Sequence, residues 1–425
     1  MMKRAWTVLL PGLLVATPWL LSRGRDAIRP RGGPPADTAA TTKAIAFFED
    51  RLERDPMNAL VATRLAERYM LRFQRNADLA DVQRAEALIV QALPFVSDPA
   101  SVHASLSGVR LTQHDFAGAW SAARTALVAE GRRGAAWGAL FDAGMAMGRY
   151  DDARAALDRL ETGTLAERLR RAHWLDAHGD AAGAVAVLSS VCEQLARSGS
   201  RAETVAWCLT ELAGLERARA GDLAAQRLLR RALHVLPGYR GALEGMAEIA
   251  HASGAWRRAI RLYESIAVDA HPDLYLRLAE SNRALGRVEQ AQHWEGEFLR
   301  VAADPRVEPL YAQLLALYWA GRVETRERAL QVALRDVERR PAVESWDVLA
   351  WVYYVRGELD AALDASDRAH AFGAPSPTMQ YHRARILAAL GRAQEAGQLM
   401  HHVMQARSLL APETRMEFDR LTHGT

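Results

Sequence analysis

A short glycine turn recurs along most of this chain. Gly148, Gly179, Gly221, Gly254, Gly286, Gly321, Gly357 and Gly391 each open one, and His114 holds the equivalent place one step earlier. The intervals between them are 34, 31, 42, 33, 32, 35, 36 and 34 residues. A period near that value is the mark of one helical hairpin stacked many times, because each unit alone cannot bury its apolar face. Each turn has a local cause. Glycine ends the first helix by accepting a left-handed backbone. Asp115, Asp180 and Asp222 are then placed to cap the second helix by accepting its free N–H groups. No stretch reads as a strand, so the expected class is all-α.

The best-formed unit runs from Ser345 to Pro375. Trp346, Leu349, Ala350 and Tyr353 fall on its first helix, followed by Gly357, Leu359, Ala362 and Ala369. Trp137, Leu140, Gly148, Tyr150 and Ala153 repeat the pattern, as do Tyr275, Leu278, Ala279, Gly286 and Ala291. In this spacing the chain resembles the tetratricopeptide repeat family. The resemblance covers residues 43–410. It implies a right-handed α-solenoid of about nine to ten stacked hairpins, in which small residues let helices approach and Trp346 fills the gap between hairpins.

The irregularities carry expectations of their own. The interval from Gly179 to Gly221 is eight residues too long, so the helices around Leu195 and Ala218 should be extended. The second helix after Gly221 is one residue short, and about three residues are inserted between Gly321 and Ala329. The first hairpin, residues 57–93, lacks the glycine, with a long connection expected at residues 75–81 and the character of a terminal cap. Residues 411–425 read as a C-terminal cap and tail, with a short helix over 413–421.

The N-terminus has a different composition. Lys3 and Arg4 precede an apolar run over residues 5–21, the layout of a signal peptide or membrane anchor. At ~1.5 Å per residue the run is about 25 Å long, just short of a ~30 Å hydrocarbon core. Residues 22–42 read as a flexible linker. Residues 1–36 carry a local charge of +5 out of the net +3. The rest is therefore slightly acidic and has no basic stripe for phosphates, which argues against a nucleic-acid partner. The expected location is exported, periplasmic or anchored in the inner membrane of a bacterium. The alternative is an anchor that leaves the body facing the cytoplasm, and membrane contact would run through residues 5–21 if they are uncleaved.

No catalytic, metal or cofactor constellation is evident. The 13 histidines form no H-E-x-x-H, and the two cysteines form no C-x-x-C. His401 and His402, and likewise His173 and His178, are expected to be solvated. The array occupies nearly the whole chain and leaves no room for a separate catalytic domain. Cys192 and Cys208 each lie eight residues from Ser200 and stand opposite across one hairpin. A disulfide there requires Cα atoms within ~7 Å, closer than the usual ~8–10 Å between helix axes, so both side chains must point into the seam. The other reading is a pair of small buried hydrophobes.

What remains is a surface. The resemblance implies that first helices line a concave groove that binds a protein or peptide. Its lining would include Tyr311, Leu315, Tyr318, Asp347, Trp351, Tyr354, Tyr381 and Arg385. Aromatic side chains of this kind are what binding hot spots favour. Glu244, Glu248, Asp273 and Glu280 would form an acidic stretch farther back. The lysine and asparagine pattern with which some family members clamp a C-terminal carboxylate is absent. The chain therefore reads as a non-enzymatic scaffold or adaptor without a cofactor. A self-associating assembly factor and, more remotely, a non-catalytic subunit of an enzyme complex are the alternatives.

Overall fold

In a computed structural model the described residues are 35–407, 410, 414–415 and 417–418, without 77–78, 130–132, 267–271, 305–306 and 374. The N-terminal apolar run and most of the C-terminal tail therefore lie outside them. Among the described residues the chain is helix and turn with no strand. Helix α1 spans Pro35–Arg54, so the last eight residues of the expected linker are helical. Ten hairpins follow. They are α2 (Ala59–Asn76) with α3 (Leu79–Ala92), α4 (Pro99–Thr112) with α5 (Phe116–Val128), and α6 (Arg133–Ala146) with α7 (Tyr150–Leu157). Next come α8 (Leu165–Ala177) with α9 (Ala181–Arg197), α10 (Ala202–Ala220) with α11 (Asp222–Val235), and α12 (Arg240–Ala252) with α13 (Trp256–Ile266). The last four are α14 (Pro272–Ala284) with α15 (Val288–Ala302), α16 (Glu308–Ala320) with α17 (Arg326–Arg339), α18 (Val343–Arg356) with α19 (Leu359–Ala369), and α20 (Pro377–Ala389) with α21 (Ala393–Gln405). The long connection expected at residues 75–81 does not exist, because α2 and α3 extend to within two residues of each other.

The turns close by one repeated hydrogen bond. The residue after the turn donates its N–H to the carbonyl five residues back: Arg149 to Gly144 at 2.8 Å, Asp180 to Leu175 at 2.9 Å, Glu358 to Tyr353 at 3.0 Å. Such a bond satisfies a carbonyl that the helix end leaves open, and it needs a left-handed residue just before the donor. Gly357 supplies φ 84° in one hairpin, and His114 supplies φ 58° in another without being glycine. The two turns that break the pattern are those the sequence marks as irregular. Gly221 donates only to Arg217, and Gly321 stays at φ −67° and leads into a 3₁₀ turn at Val323–Thr325.

Capping follows the expectation in part. Asp115 accepts from the Gly118 N–H at 2.9 Å and Asp180 from the Gly183 N–H at 2.8 Å. Asp222 does not cap. It is the first residue inside α11, and its carboxylate accepts from Arg217 Nε at 2.7 Å instead.

Each second helix then presents an alanine to its partner. Ala119, Ala153, Ala184, Ala259, Ala329 and Ala362 are all fully buried. The absence of bulk lets backbones close in: a Cβ on Gly144 would already lie 3.2 Å from that of Ala153. Larger side chains fill the space between hairpins, with Phe298, Leu315, Trp319 and Leu349 in one continuous cluster.

The chain divides into two compact units, meeting in sequence between Arg170 and Arg171. In the second unit, first helices of neighbouring hairpins approach each other, as α10 with α12, α16 with α18 and α18 with α20. Among the described residues no two neighbouring second helices pack as closely. The side that carries these first helices is the one on which a groove is expected. The same unit makes a contact that a pure nearest-neighbour stack would lack. Phe372, in the turn between α19 and α20, meets the rings of Trp174 on α8 and of His178 just after it, at 5.6 and 4.7 Å.

Candidate functional site: the inner face of the C-terminal hairpins

Three first helices, α16, α18 and α20, carry the residues expected to line a groove, and the structure sorts them into two groups. On α16, Tyr318 is half-buried; its hydroxyl donates to Glu295 of α15 at 2.5 Å. The Arg322 guanidinium lies 4.1 Å from its ring centroid and also pairs with Glu295. Burial and the Glu295 carboxylate push the Tyr318 phenol well above its ordinary value. Tyr311 is half-buried at a kink, with φ −118° and ψ 15°. Leu315 is fully buried in the core and offers nothing to a partner.

Helices α18 and α20 hold the second group, which the structure does bring together. His382 Nδ1 lies 2.9 Å from Asp347 Oδ2, and the Trp351 indole stacks on the imidazole at 4.3 Å. Tyr354 sits 5.0 Å from Trp351. Arg385 donates to the Tyr354 hydroxyl at 2.8 Å and to the Tyr381 hydroxyl at 2.9 Å, and pairs with Glu417. Asp347 and Tyr381 are buried, so their part is to hold other groups in place rather than to touch a ligand. Tyr381 packs against Phe418 and Leu410 of the C-terminal segment. The groups left half-exposed are Tyr311, Tyr318, Trp351, Tyr354 and Arg385.

His382, Glu295 and Glu417 were not legible as site residues, yet one signal was present. Asp347 and His382 are 35 residues apart, one repeat, and so occupy equivalent places on successive first helices. Tyr354 and Arg385 are 31 apart and pair in the same manner. Side chains one period apart are neighbours in such a stack.

Farther back, Glu244 and Asp273 are buried, and Glu280 is held by Arg277 at 2.8 Å and lies 3.4 Å from His251. His401 and His402 are exposed, whereas His173 is buried, against the expectation of a solvated side chain. Among the described residues no group of three or more His, Cys, Asp or Glu side chains is placed to hold a metal ion. Cys192 of α9 and Cys208 of α10 are joined by a disulfide with Cα atoms 5.5 Å apart, both side chains lying in the seam. Among the described residues no helix is long and apolar enough to cross a membrane.

No protein-family profile matches the chain, and no curated protein does. It is similar to the solved APC/C hetero-tetramer Cut9–Hcn1, with 15% identity, a TM-score of 0.35, and coverage of 90% of this chain and 93% of that one. It is similar to yeast Tom70, with 12% identity, a TM-score of 0.36, and coverage of 91% and 92%. A tetratricopeptide repeat protein from Parabacteroides merdae gives 14% identity and a TM-score of 0.34 over 59% of this chain and 98% of that one. At such scores these likenesses carry no argument; the all-α hairpin stack stands on the helices and turns described above.

Proposed function

We propose that this protein is a non-catalytic scaffold that holds a segment of a partner protein on the inner face of its second unit. The observation that carries the reading is the partly exposed aromatic group Trp351, Tyr354 and Tyr318 on first helices of neighbouring hairpins. Each ring is already fixed by a stacked or charged neighbour, so little side-chain entropy is lost on binding. On binding, each ring loses its remaining surface, roughly a third or less of the ~150–250 Å² of a whole aromatic side chain, and a few such rings can dominate an affinity. The test is photo-crosslinking in cells, with a benzophenone amino acid at Tyr354 and, as control, at Val288 on the exposed side of α15. A discrete adduct from position 354 alone supports the reading. Equal labelling from both positions, or none from 354, refutes it.

We further propose that the scaffold works outside the cytoplasm, exported or tethered through residues 5–21. The basic start before an apolar run supports this, and so does the Cys192–Cys208 disulfide, since such bonds persist in oxidising compartments. Thiol alkylation after acid quenching of the cells and denaturation of the chain distinguishes the alternatives, since both cysteines are buried in the folded protein. Two unreactive cysteines fit an exported body, and two reactive ones fit a body facing the cytoplasm.

A further inference from the structure

The C-terminal segment reaches farther than a cap. A cap of the last hairpin would touch α20 and α21 alone. Leu410 and Phe418 do pack there, in one buried cluster with Tyr381 and Val403. The Phe418 and Tyr381 rings lie 6.2 Å apart with their planes at 69°, and Glu417 pairs with Arg385. Arg415 behaves differently. It donates to the carbonyl of Ala252, the last residue of α12 and so of a first helix four hairpins earlier. A carbonyl at a helix C-terminus favours a cation. The turn before α20 also approaches an early first helix. A Cβ on Gly373 would lie 2.1 Å from the carbonyl oxygen of Ala177 at the end of α8.

These contacts fall on the groups assigned above to a partner. Trp351 packs against the cluster that Leu410 and Phe418 complete. The Arg385 guanidinium that holds the Tyr354 hydroxyl is the one that Glu417 engages. The segment therefore offers the inner face a cation, an anion and an aromatic ring within four residues, Arg415, Glu417 and Phe418. A chain terminus opens more readily than a hairpin packed on both sides, so a contact of this kind can be exchanged.

We propose that the segment carrying Arg415, Glu417 and Phe418 is an internal occupant of the inner-face site, and that a partner displaces it with a segment of the same chemistry, an aromatic residue beside a carboxylate with a cation one helical turn away. The proposal builds on the inner-face site described under the proposed function. Apparent affinity for a partner then falls in proportion to the fraction of molecules whose site is open. Fluorescence anisotropy on the full chain tests it, with a labelled synthetic peptide of the chain's own residues 408–422. Wild type should bind the peptide weakly, because its site is filled. Arg415→Ala and Phe418→Ala, which loosen the internal copy, should each bind it about tenfold or more tightly, the worth of a charge-assisted hydrogen bond or more. A control peptide with Lys for Glu417 and Ala for Phe418 should not bind. Should Phe418→Ala disturb the last hairpin by circular dichroism, Arg415→Ala, at a half-exposed position, decides. The proposal is overturned if both variants bind the peptide no better than wild type, or if the control peptide binds equally. Cellular adducts from position 354 without peptide binding would overturn this proposal and leave the partner site standing. Peptide binding without such adducts would overturn the partner site and leave the internal contact standing.

Discussion

Arg170 is nearly fully buried, and Asp142 meets its guanidinium. Its Nε and a terminal nitrogen donate to the carboxylate at 3.0 and 2.5 Å, and the Gly138 carbonyl accepts at 3.1 Å. Burial pushes the Asp142 carboxyl above its ordinary value while the guanidinium pulls it back. Truncation leaves an unpaired charge in the interior. Asp142→Ala should therefore cost about 3–5 kcal/mol, read as a shift in the urea midpoint. His370 carries a pH dependence of definite sign. Burial holds its imidazole below the ordinary value, with the Ser366 carbonyl on Nδ1 at 2.8 Å. Its Nε2 is buried without a hydrogen-bond partner, so a second proton would have nowhere to donate. The unfolded chain binds that proton near pH 6.5 and the folded chain only lower. This contribution to stability is complete above pH 6.5 and is lost as pH falls below it. Urea midpoints at pH 7.5 and 5.5 should show a smaller drop for His370→Gln than for the wild type; an unchanged drop would contradict the assignment.

At the scale of the element, α9 and α10, the second helix of one hairpin and the first helix of the next, are the pair that is covalently tied. Two longer helices joined only at Ser198–Ser200 expose more seam to fraying, and Cys192 and Cys208 close it 16 residues apart in sequence. A loop of that size is worth about 3 kcal/mol in the chain-entropy view. The double variant Cys192→Ala/Cys208→Ala should lose about that much, seen first as faster hydrogen exchange in α9 and α10. Equal exchange in the oxidised wild type and the variant would show that packing alone holds the pair.

Over the whole molecule, stability should be local, because most contacts join a hairpin to its neighbours. Phe298 is fully buried among α15, α16 and their surroundings, 5.0 Å from Tyr318. Phe298→Ala should lower opening free energies in α14–α17 by about 3–5 kcal/mol. Exchange in α2–α6, in the other unit, should move by less than about 0.5 kcal/mol. A uniform loss across both units would instead mean one cooperative body. The contact of Phe372 with Trp174 and His178 makes a sharper case. A change at Phe372 should be felt in α8, which is distant in sequence, as well as in α19 and α20.

Much of what has its cause within one repeat was open to reading from the residues, although Asp222, expected to cap α11, accepts from Arg217 instead. The helices follow from apolar spacing, and the turns from glycine or His114 at the left-handed position. The buried alanine at each second helix follows from the need for close approach. Even the two aberrant turns, at Gly221 and Gly321, coincide with the residue missing from one unit and the residues inserted in another. Exposure could not be read in this way. Leu315, Asp347 and Tyr381 share their helices' sequence pattern with Tyr318, Trp351 and Tyr354, yet they are buried. Whether a side chain at a given position meets water depends on small rotations of its helix and on what the next hairpin or the C-terminal segment lays over it. Phe418 over Tyr381 is such a case. Periodicity determines each hairpin because backbone hydrogen bonds and caps act over a few residues; the surface is left to tertiary structure because burial is a property of neighbours.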